Sequence, residues 1–177
     1  WACHLGPQLG GKGYGQLKLA LMNELFGRSR FGPIVFGAQA PDTGNSEILA
    51  HYGTPAQKEK YLKPLLENET VSCFTITEPQ GGADPLVFTT SAVQDGGDWV
   101  INGEKWFASN AKFAAFFIVM AVTDPQAAPY RRMSMFIVPA DAPGIEIVRN
   151  HGYYGEPDET HAHIRWTNVR VPADSML

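Results

Sequence analysis

Two stretches of this chain gather residue types that could hold a cofactor or move a proton. The first runs Cys73-Phe74-Thr75-Ile76-Thr77-Glu78-Pro79-Gln80-Gly81-Gly82-Ala83-Asp84. An apolar, β-favouring approach from Val71 to Ile76 meets a Thr-Glu-Pro corner, then two glycines and an aspartate. That order reads as a buried strand entering a loop whose backbone is free to approach another molecule closely. The second stretch, Asn102-Gly103-Glu104-Lys105-Trp106-Phe107-Ala108-Ser109-Asn110, reads as an Asn-Gly turn feeding paired aromatics and then short hydroxyl and amide side chains. Glu78 and Asp84 could serve as general bases, but beside Thr and Gly they read better as acceptors of backbone N–H bonds that fix the loop. Taken one at a time, Phe74, Ile76, Trp106 and Phe107 are ordinary strand-core residues, with Thr77 and Ser109 as strand-end hydroxyls.

Other constellations are weaker. His161 and His163 alternate on an expected strand and so share a face. With no third ligand in view they read as a solvent-facing pair, not a metal site. Cys73 sits in an apolar run and reads as core instead of a nucleophile. Gly10-Gly11-Lys12-Gly13-Tyr14-Gly15 lacks dinucleotide spacing and a Gly-Lys-Ser/Thr ending, so it reads as a flexible turn into a helix. No Gly-x-Ser-x-Gly elbow and no Cys-x-x-Cys pair occurs.

The elements that must position these residues change character near residue 70. Tyr14, Leu17, Leu21 and Leu25 recur at helical spacing, with Gly27 as a C-cap. A short helix starting at Asp42 or Asn45 is expected to end at Gly53. Thr54-Pro55-Ala56-Gln57 combines an N-cap, a first-turn proline and a capping-box glutamine, and Pro64 limits that helix to about Leu62. Glu59 is spaced to pair with Lys63 on a solvated face. Beyond Asn68 the period becomes two. Strands are expected at Val71–Thr77, Val87–Gln94, Trp99–Ile101, Glu104–Ala108, Phe116–Val122, Ser134–Val138, Ile145–Arg149, Ala162–Trp166 and Val169–Val171. Asp95-Gly96-Gly97-Asp98, Asn102-Gly103, Pro125 to Pro129, Pro143-Gly144 and Gly152 to Pro157 supply the turns. The pattern is α+β: a partial helical domain over 1–70, then a middle β domain over 71–177, an antiparallel sandwich or barrel-like structure.

Composition narrows the function classes. A hydrophobic content of 44% against 18% charged residues describes a folded globule. A net charge of −4 provides no basic footprint for nucleic acid. No apolar run approaches the roughly 20 residues that span a bilayer. Two cysteines make no disulfide framework and suit a reducing compartment. The chain begins at Trp1 with no signal segment and ends at Leu177 without a tail, as expected of a fragment.

Five segments in one order resemble the acyl-CoA dehydrogenase family over nearly the whole chain. They are Ala40-Pro41-Asp42-Thr43-Gly44-Asn45, the stretch from Tyr52-Gly53 through Gln57-Lys58 to Tyr61-Leu62 and Pro64-Leu65-Leu66, Thr77-Glu78-Pro79, Asn102-Gly103-Glu104-Lys105, and Val169-Arg170-Val171-Pro172. The first of these and Lys105-Trp106-Phe107 look most like the branch that some animals fuse to a phosphotransferase-like domain. The resemblance implies FAD as cofactor, with Phe74, Ile76 and Thr77 against the isoalloxazine ring. Gly82 and Ala83 match a Gly-Ser pair that approaches the cofactor phosphates and the acyl-CoA, and the alanine here forfeits a hydroxyl contact. Phe107 stands where the family usually has a flavin-flanking tryptophan. After Ala108 comes Ser109, at the position of a threonine near flavin N5.

The implied reaction is α,β-dehydrogenation of an acyl-CoA to the trans-2-enoyl-CoA, with hydride passing to FAD and electrons onward to an electron-transferring flavoprotein. The catalytic glutamate is expected from a C-terminal helical bundle absent here, so no catalytic residue is assigned in this chain and the fragment is expected to be inactive alone. The resemblance also implies a homo-oligomer and an intracellular setting, either bacterial cytoplasm, mitochondrion or peroxisome. An acyl-CoA oxidase or flavin monooxygenase on the same scaffold, or a non-catalytic β binding module, are the alternatives.

Overall fold

A computed structural model describes residues 3–152 and 160–177. The chain divides into two compact units, Trp1–Val71 and Ser72–Leu177. Helices build the first and strands the second, an α+β arrangement.

In the first unit, α1 (Gly15–Phe26) forms where the leucine spacing places it, yet Leu17, Leu21 and Leu25 are all exposed. Periodicity located the helix without showing which face would be covered. Gly27 does close α1, but in right-handed conformation instead of the left-handed cap. A short α2 (Gly32–Val35) follows, and Phe36 stacks on Phe26 with ring centroids 4.5 Å apart. α3 (Asp42–Tyr52) stops at Gly53, and buries Leu49 and Ala50. Both capping-box bonds precede α4 (Pro55–Gln57): Gln57 N–H donates to Thr54 Oγ1 at 3.2 Å, and Thr54 N–H to Gln57 Oε1 at 2.8 Å. The helical path does not end at Leu62. It widens into a π-turn over Lys58–Leu62 and continues as α5 (Lys63–Leu66). The wider turn carries the chain past Pro64, which has no N–H to donate and whose ring would collide with the preceding turn of a regular α-helix. Lys63 Nζ reaches Glu59 Oε1 at 2.7 Å, as its spacing predicts.

The second unit, among the described residues, is one curled seven-stranded sheet: β1 (Ser72–Thr75), β2 (Ser91–Asp95), β3 (Asp98–Ser109), β4 (Phe116–Val122), β5 (Met133–Pro139), β6 (Ile145–His151) and β7 (His161–Pro172). Most pairings are antiparallel, but β4 runs parallel to β1 along Phe116–Val119 and meets β2 in parallel at Val122. Its remaining edge is filled by β5. β1 and β2 thus share one edge of β4, at different positions along it. The core of this unit is packed by Cys73, Ile101, Phe117, Val119, Phe136 and Trp166 among others, with Phe117 edge-on to Trp166 at 5.3 Å.

One expected turn is not a turn, and one expected break between strands is absent. β3 runs unbroken through Asn102-Gly103, and β7 through Thr167-Asn168. Gly103, at φ 146°, sits in a register shift of the β3–β7 ladder. A Cβ there would lie 2.6 Å from Thr90 Cα, so the glycine admits a crossing backbone and makes no hairpin. Asn102 Oδ1 instead accepts the N–H of Asn168 at 2.8 Å, across the ladder. The Asp95–Asp98 hairpin does form. The strand expected from Val87 begins only at Ser91, and from residue 153 onward the turn expected over Gly152 to Pro157 lies outside the described residues.

Candidate functional site

The second unit concentrates its unusual geometry where the end of β1 meets the middle of β3. Cys73 and Thr75 face the core, Thr75 Oγ1 donating to Ile118 O, so Phe74 alternates to the other side, half-buried. Past the strand, two consecutive carbonyls are taken by β3. Lys105 Nζ donates to Ile76 O at 2.9 Å and Trp106 N–H donates to Thr77 O at 2.8 Å. The loop then closes tightly, Glu78 and Gly81 exchanging both backbone bonds at 3.0 Å. Gly82 folds back over Thr77: a Cβ at Gly82 would stand 3.0 Å from the Thr77 methyl and 3.1 Å from its hydroxyl. Ile76, Thr77, Gly82 and Trp106 are thereby brought together. Ala83 is exposed one residue further on.

Glu78 is the hub of this loop. Its carboxylate accepts from Thr89 N–H at 2.7 Å, Thr90 N–H at 2.9 Å, Thr89 Oγ1 at 3.1 Å and Lys105 Nζ at 2.9 Å. Burial alone would push the carboxyl up, but these donors outweigh it and hold the group at about 2 against an ordinary 4.5. Burial pushes Lys105 the other way, below its ordinary value, and Glu78 offsets only part of that. Glu78 therefore fixes the loop, as read from the sequence, and Asp84 does the same on a smaller scale by accepting from Leu86 N–H at 2.9 Å. Lys105 was missed. Its position is inward-facing, paired with Ile164, and nothing in a lysine between Glu and Trp signals full burial.

A bulge re-aims the aromatics. Between Lys105 and Ala108 the β3–β7 register slips, so Trp106 and Phe107 together fill the interval opposite His163. Phe107 has φ 55°, a conformation that costs a non-glycine residue on the order of 1–3 kcal/mol. In return its ring turns outward, 45% exposed, stacked on Trp106 with centroids 4.8 Å apart and planes 4° from parallel. Ala108 then points into the core, so only its backbone faces outward. Ser109 comes back to the outer face, Oγ 2.9 Å from His161 Nδ1.

That outer face carries a hydrogen-bonded set the sequence did not reveal. Trp106 Nε1–H donates to His151 Nε2 at 2.6 Å, and Arg149 Nε–H to the same nitrogen at 3.1 Å. His163 Nε2 lies 2.7 Å from Glu104 Oε2, while Arg165 Nε donates to Glu104 Oε1 at 2.9 Å. Arg165 and then His163 hold the Glu104 carboxyl below its ordinary range. His161 and His163 do share a face, but both are half-buried and bonded to β3 partners, not solvent-facing. Among the described residues no three His, Cys, Asp or Glu side chains converge as metal ligands. No helix of the described residues is long and apolar enough to cross a membrane.

Chemically the arrangement offers an exposed aromatic face, two short hydroxyls and a close-approach glycine on a rigid frame. Comparison with known proteins bears on the family of the chain. A family model for the acyl-CoA dehydrogenase middle domain matches residues 73–169, and one for the N-terminal domain matches residues 1–69. Acyl-CoA dehydrogenase family member 11 of Gallus gallus is 42% identical over 172 residues, covering 92% of this chain and 22% of that protein. A solved structure assigned to an acyl-CoA dehydrogenase of Mycobacterium abscessus superposes with TM-score 0.90 at 41% identity, covering all of this chain and 45% of that one. A glutaryl-CoA dehydrogenase from Mycobacterium smegmatis, solved in complex with FADH2, gives TM-score 0.67 at 30% identity over 75% of this chain and 33% of its own. The chain thus spans between about a fifth and under half of the length of these relatives.

Proposed function

This chain belongs to the acyl-CoA dehydrogenase family, and from that premise we propose that it forms the helical entry and middle β domain of a flavoprotein that α,β-dehydrogenates an acyl-CoA thioester. The observation that carries the reading is the strained bulge at Phe107. Backbone strain held in place by a surrounding ladder marks a position the fold maintains for a purpose other than stability, and here it turns an aromatic face outward.

The residues present fit a flavin. Phe107 offers a flat apolar wall and Ser109 a hydroxyl on the same face. Ile76 and Thr77 have their carbonyls tied back to β3, so in this reading backbone N–H groups of that corner and the Thr77 hydroxyl are the donors for the pyrimidine edge. Gly82 permits close approach beside Thr77, and Ala83 continues that edge toward phosphate and the acyl-CoA. FAD in this reading supplies the hydride acceptor, whose electronics the protein tunes by hydrogen bonds. Phe74 backs the strand and Ala108 contributes backbone only. The family resemblance assigns the α-proton to a glutamate of a C-terminal helical bundle, and Glu78 is no rival for that role, being committed to two backbone N–H groups and a lysine. An electron-transferring flavoprotein takes the electrons, and the complete enzyme is an intracellular homo-oligomer.

The test is an absorbance scan of the protein expressed from its full reading frame, before and after a panel of acyl-CoA thioesters is added anaerobically. A flavin spectrum that bleaches with one chain-length class is expected. A colourless protein that takes up no added FAD would overturn the cofactor assignment. The isolated 177 residues are expected to hold far less than one FAD per chain, checked by the same scan after gel filtration.

A further inference from the structure

Resting on the flavin reading above, we propose that His161 is a positioning residue that fixes the hydroxyl of Ser109 toward the cofactor. Ser109 is the last residue of β3 and lies directly opposite His161 in the β3–β7 ladder. Its Oγ is 2.9 Å from His161 Nδ1. Beyond it the strand pairing stops: Asn110 adopts φ 64° and its N–H turns to Thr160 O at 2.7 Å. The ladder therefore sets where the Ser109 backbone stands, but not where its hydroxyl points.

A serine side chain has one Oγ–H and two lone pairs, and without a second substituent on Cβ it moves among rotamers more freely than a β-branched residue. A single hydrogen bond from a side chain that is itself held can select one of them. His161 is such a side chain, half-buried on a strand flanked by β3 and β6. Of the neighbouring imidazoles on this face, His163 Nε2 is engaged with Glu104 at 2.7 Å, and His151, opposite His161 on β6, accepts from Trp106 at Nε2. The same bond decides what Ser109 shows to a ligand. With Nδ1–H donating into Oγ, the serine hydrogen is free to point outward. With Nδ1 accepting, the serine shows a lone pair. One imidazole thus orients the hydroxyl and sets its polarity, next to the aromatic wall that the bulge exposes two residues earlier.

The experiment uses the protein from its full reading frame and measures FAD affinity by fluorescence titration of the apoprotein, together with the flavin midpoint potential. Four single variants and one double variant are compared: His161→Leu, His161→Asn, His161→Gln, Ser109→Ala, and His161→Leu with Ser109→Ala. Loss of one hydrogen bond to the cofactor corresponds to about tenfold weaker binding. His161→Leu and Ser109→Ala are each expected to show that loss, and the double variant to be no weaker than Ser109→Ala alone. His161→Asn, whose amide nitrogen can stand near the place of Nδ1, is expected to bind FAD within about threefold of the native protein. His161→Gln, whose amide reaches further out, is not expected to rescue. A purely structural histidine would instead lower thermal stability by the same amount in both Ser109 backgrounds and leave the potential of the bound flavin unmoved.

The inference is overturned if Ser109→Ala weakens FAD binding while His161→Leu does not, or if the two losses simply add. It also falls, together with the placement of Ser109 at the cofactor, if Ser109→Ala changes neither affinity nor potential. Failure of the native protein to take up FAD at all is a separate result and sinks the flavin reading itself. Should His161→Leu not fold, the contrast between His161→Asn and His161→Gln decides the question, equal affinities counting against the proposal.

Discussion

Among single residues, Glu78 and Lys105 are where charge meets burial: neither side chain is more than 1% exposed, and they lie 2.9 Å apart. Removing both charges from water is expensive, and their mutual attraction alone does not guarantee a net gain. What makes the arrangement hold is that each has further partners, Thr89 and Thr90 N–H on the carboxylate and Ile76 O on the ammonium. Replacing only Lys105 with Met leaves a buried carboxylate short of its counter-charge, and should cost about 3–5 kcal/mol in urea unfolding. Adding Glu78→Gln to that variant is expected to recover part of the loss; a double variant as unstable as the single one would argue against the pair. The Glu78 carboxyl also sets an acid limit. Its folded-state value of about 2 lies below the ordinary 4.5, so its contribution is complete above about 4.5 and disappears as pH falls toward 2. The shift corresponds to about 3 kcal/mol, to be seen as a steep loss of stability in thermal melts between those pH values that is absent in Glu78→Gln.

The elements were legible to different degrees, for different reasons. The Thr54 capping box, the C-terminal end of α3 and the whole of β4 follow from local chemistry, since an N-cap, a terminal glycine and an uninterrupted apolar run act within a few residues. Asn102-Gly103 misled because the pair that favours a hairpin turn is also one that permits a bulge, and only the backbone crossing at Thr90 distinguishes the two. Gly103→Ala would place a methyl 2.5 Å from Thr90 Oγ1 and 2.6 Å from its Cα, at a positive φ. A loss of about 2–4 kcal/mol is expected from strain and overpacking together. The exposed Gly97, with nothing within 4 Å of an added Cβ, is the control and should accept Ala within about 1 kcal/mol. Equal effects at the two sites would show that contact with Thr90 is not what requires glycine. Pro64 misled in the opposite direction, because a proline that stops a regular helix is tolerated once a π-turn precedes it.

For the whole chain, the informative observation is apolar surface left open on the first unit. Leu17, Leu21 and Leu25 on α1 are 76%, 55% and 60% exposed, and Phe31 and Val35 beyond it are exposed as well. Soluble monomers seldom leave so many large apolar side chains together in water. In the proposed reading this face is covered in the complete enzyme, and in the isolated chain it promotes association. Replacing the three leucines by Gln is expected to shift sedimentation velocity profiles toward monomer while moving stability by no more than about 0.5 kcal/mol per site. A large stability loss would mean these leucines are packed in solution.

From the sequence alone came the α+β division near residue 70, the family, and the list of residues proposed to surround a flavin, because those rest on period, local caps and ordered motifs. Tertiary structure alone decided that Phe107 faces outward while Ala108 does not, since a one-residue slip in a ladder reverses which side each residue takes. It also paired Lys105 with Glu78 and His161 with Ser109, across 27 and 52 residues of chain. Neither pairing leaves a local trace: a buried lysine and a half-buried histidine look, in one dimension, like any charged residue on a strand. Their meaning depends on what the sheet's curvature brings opposite them.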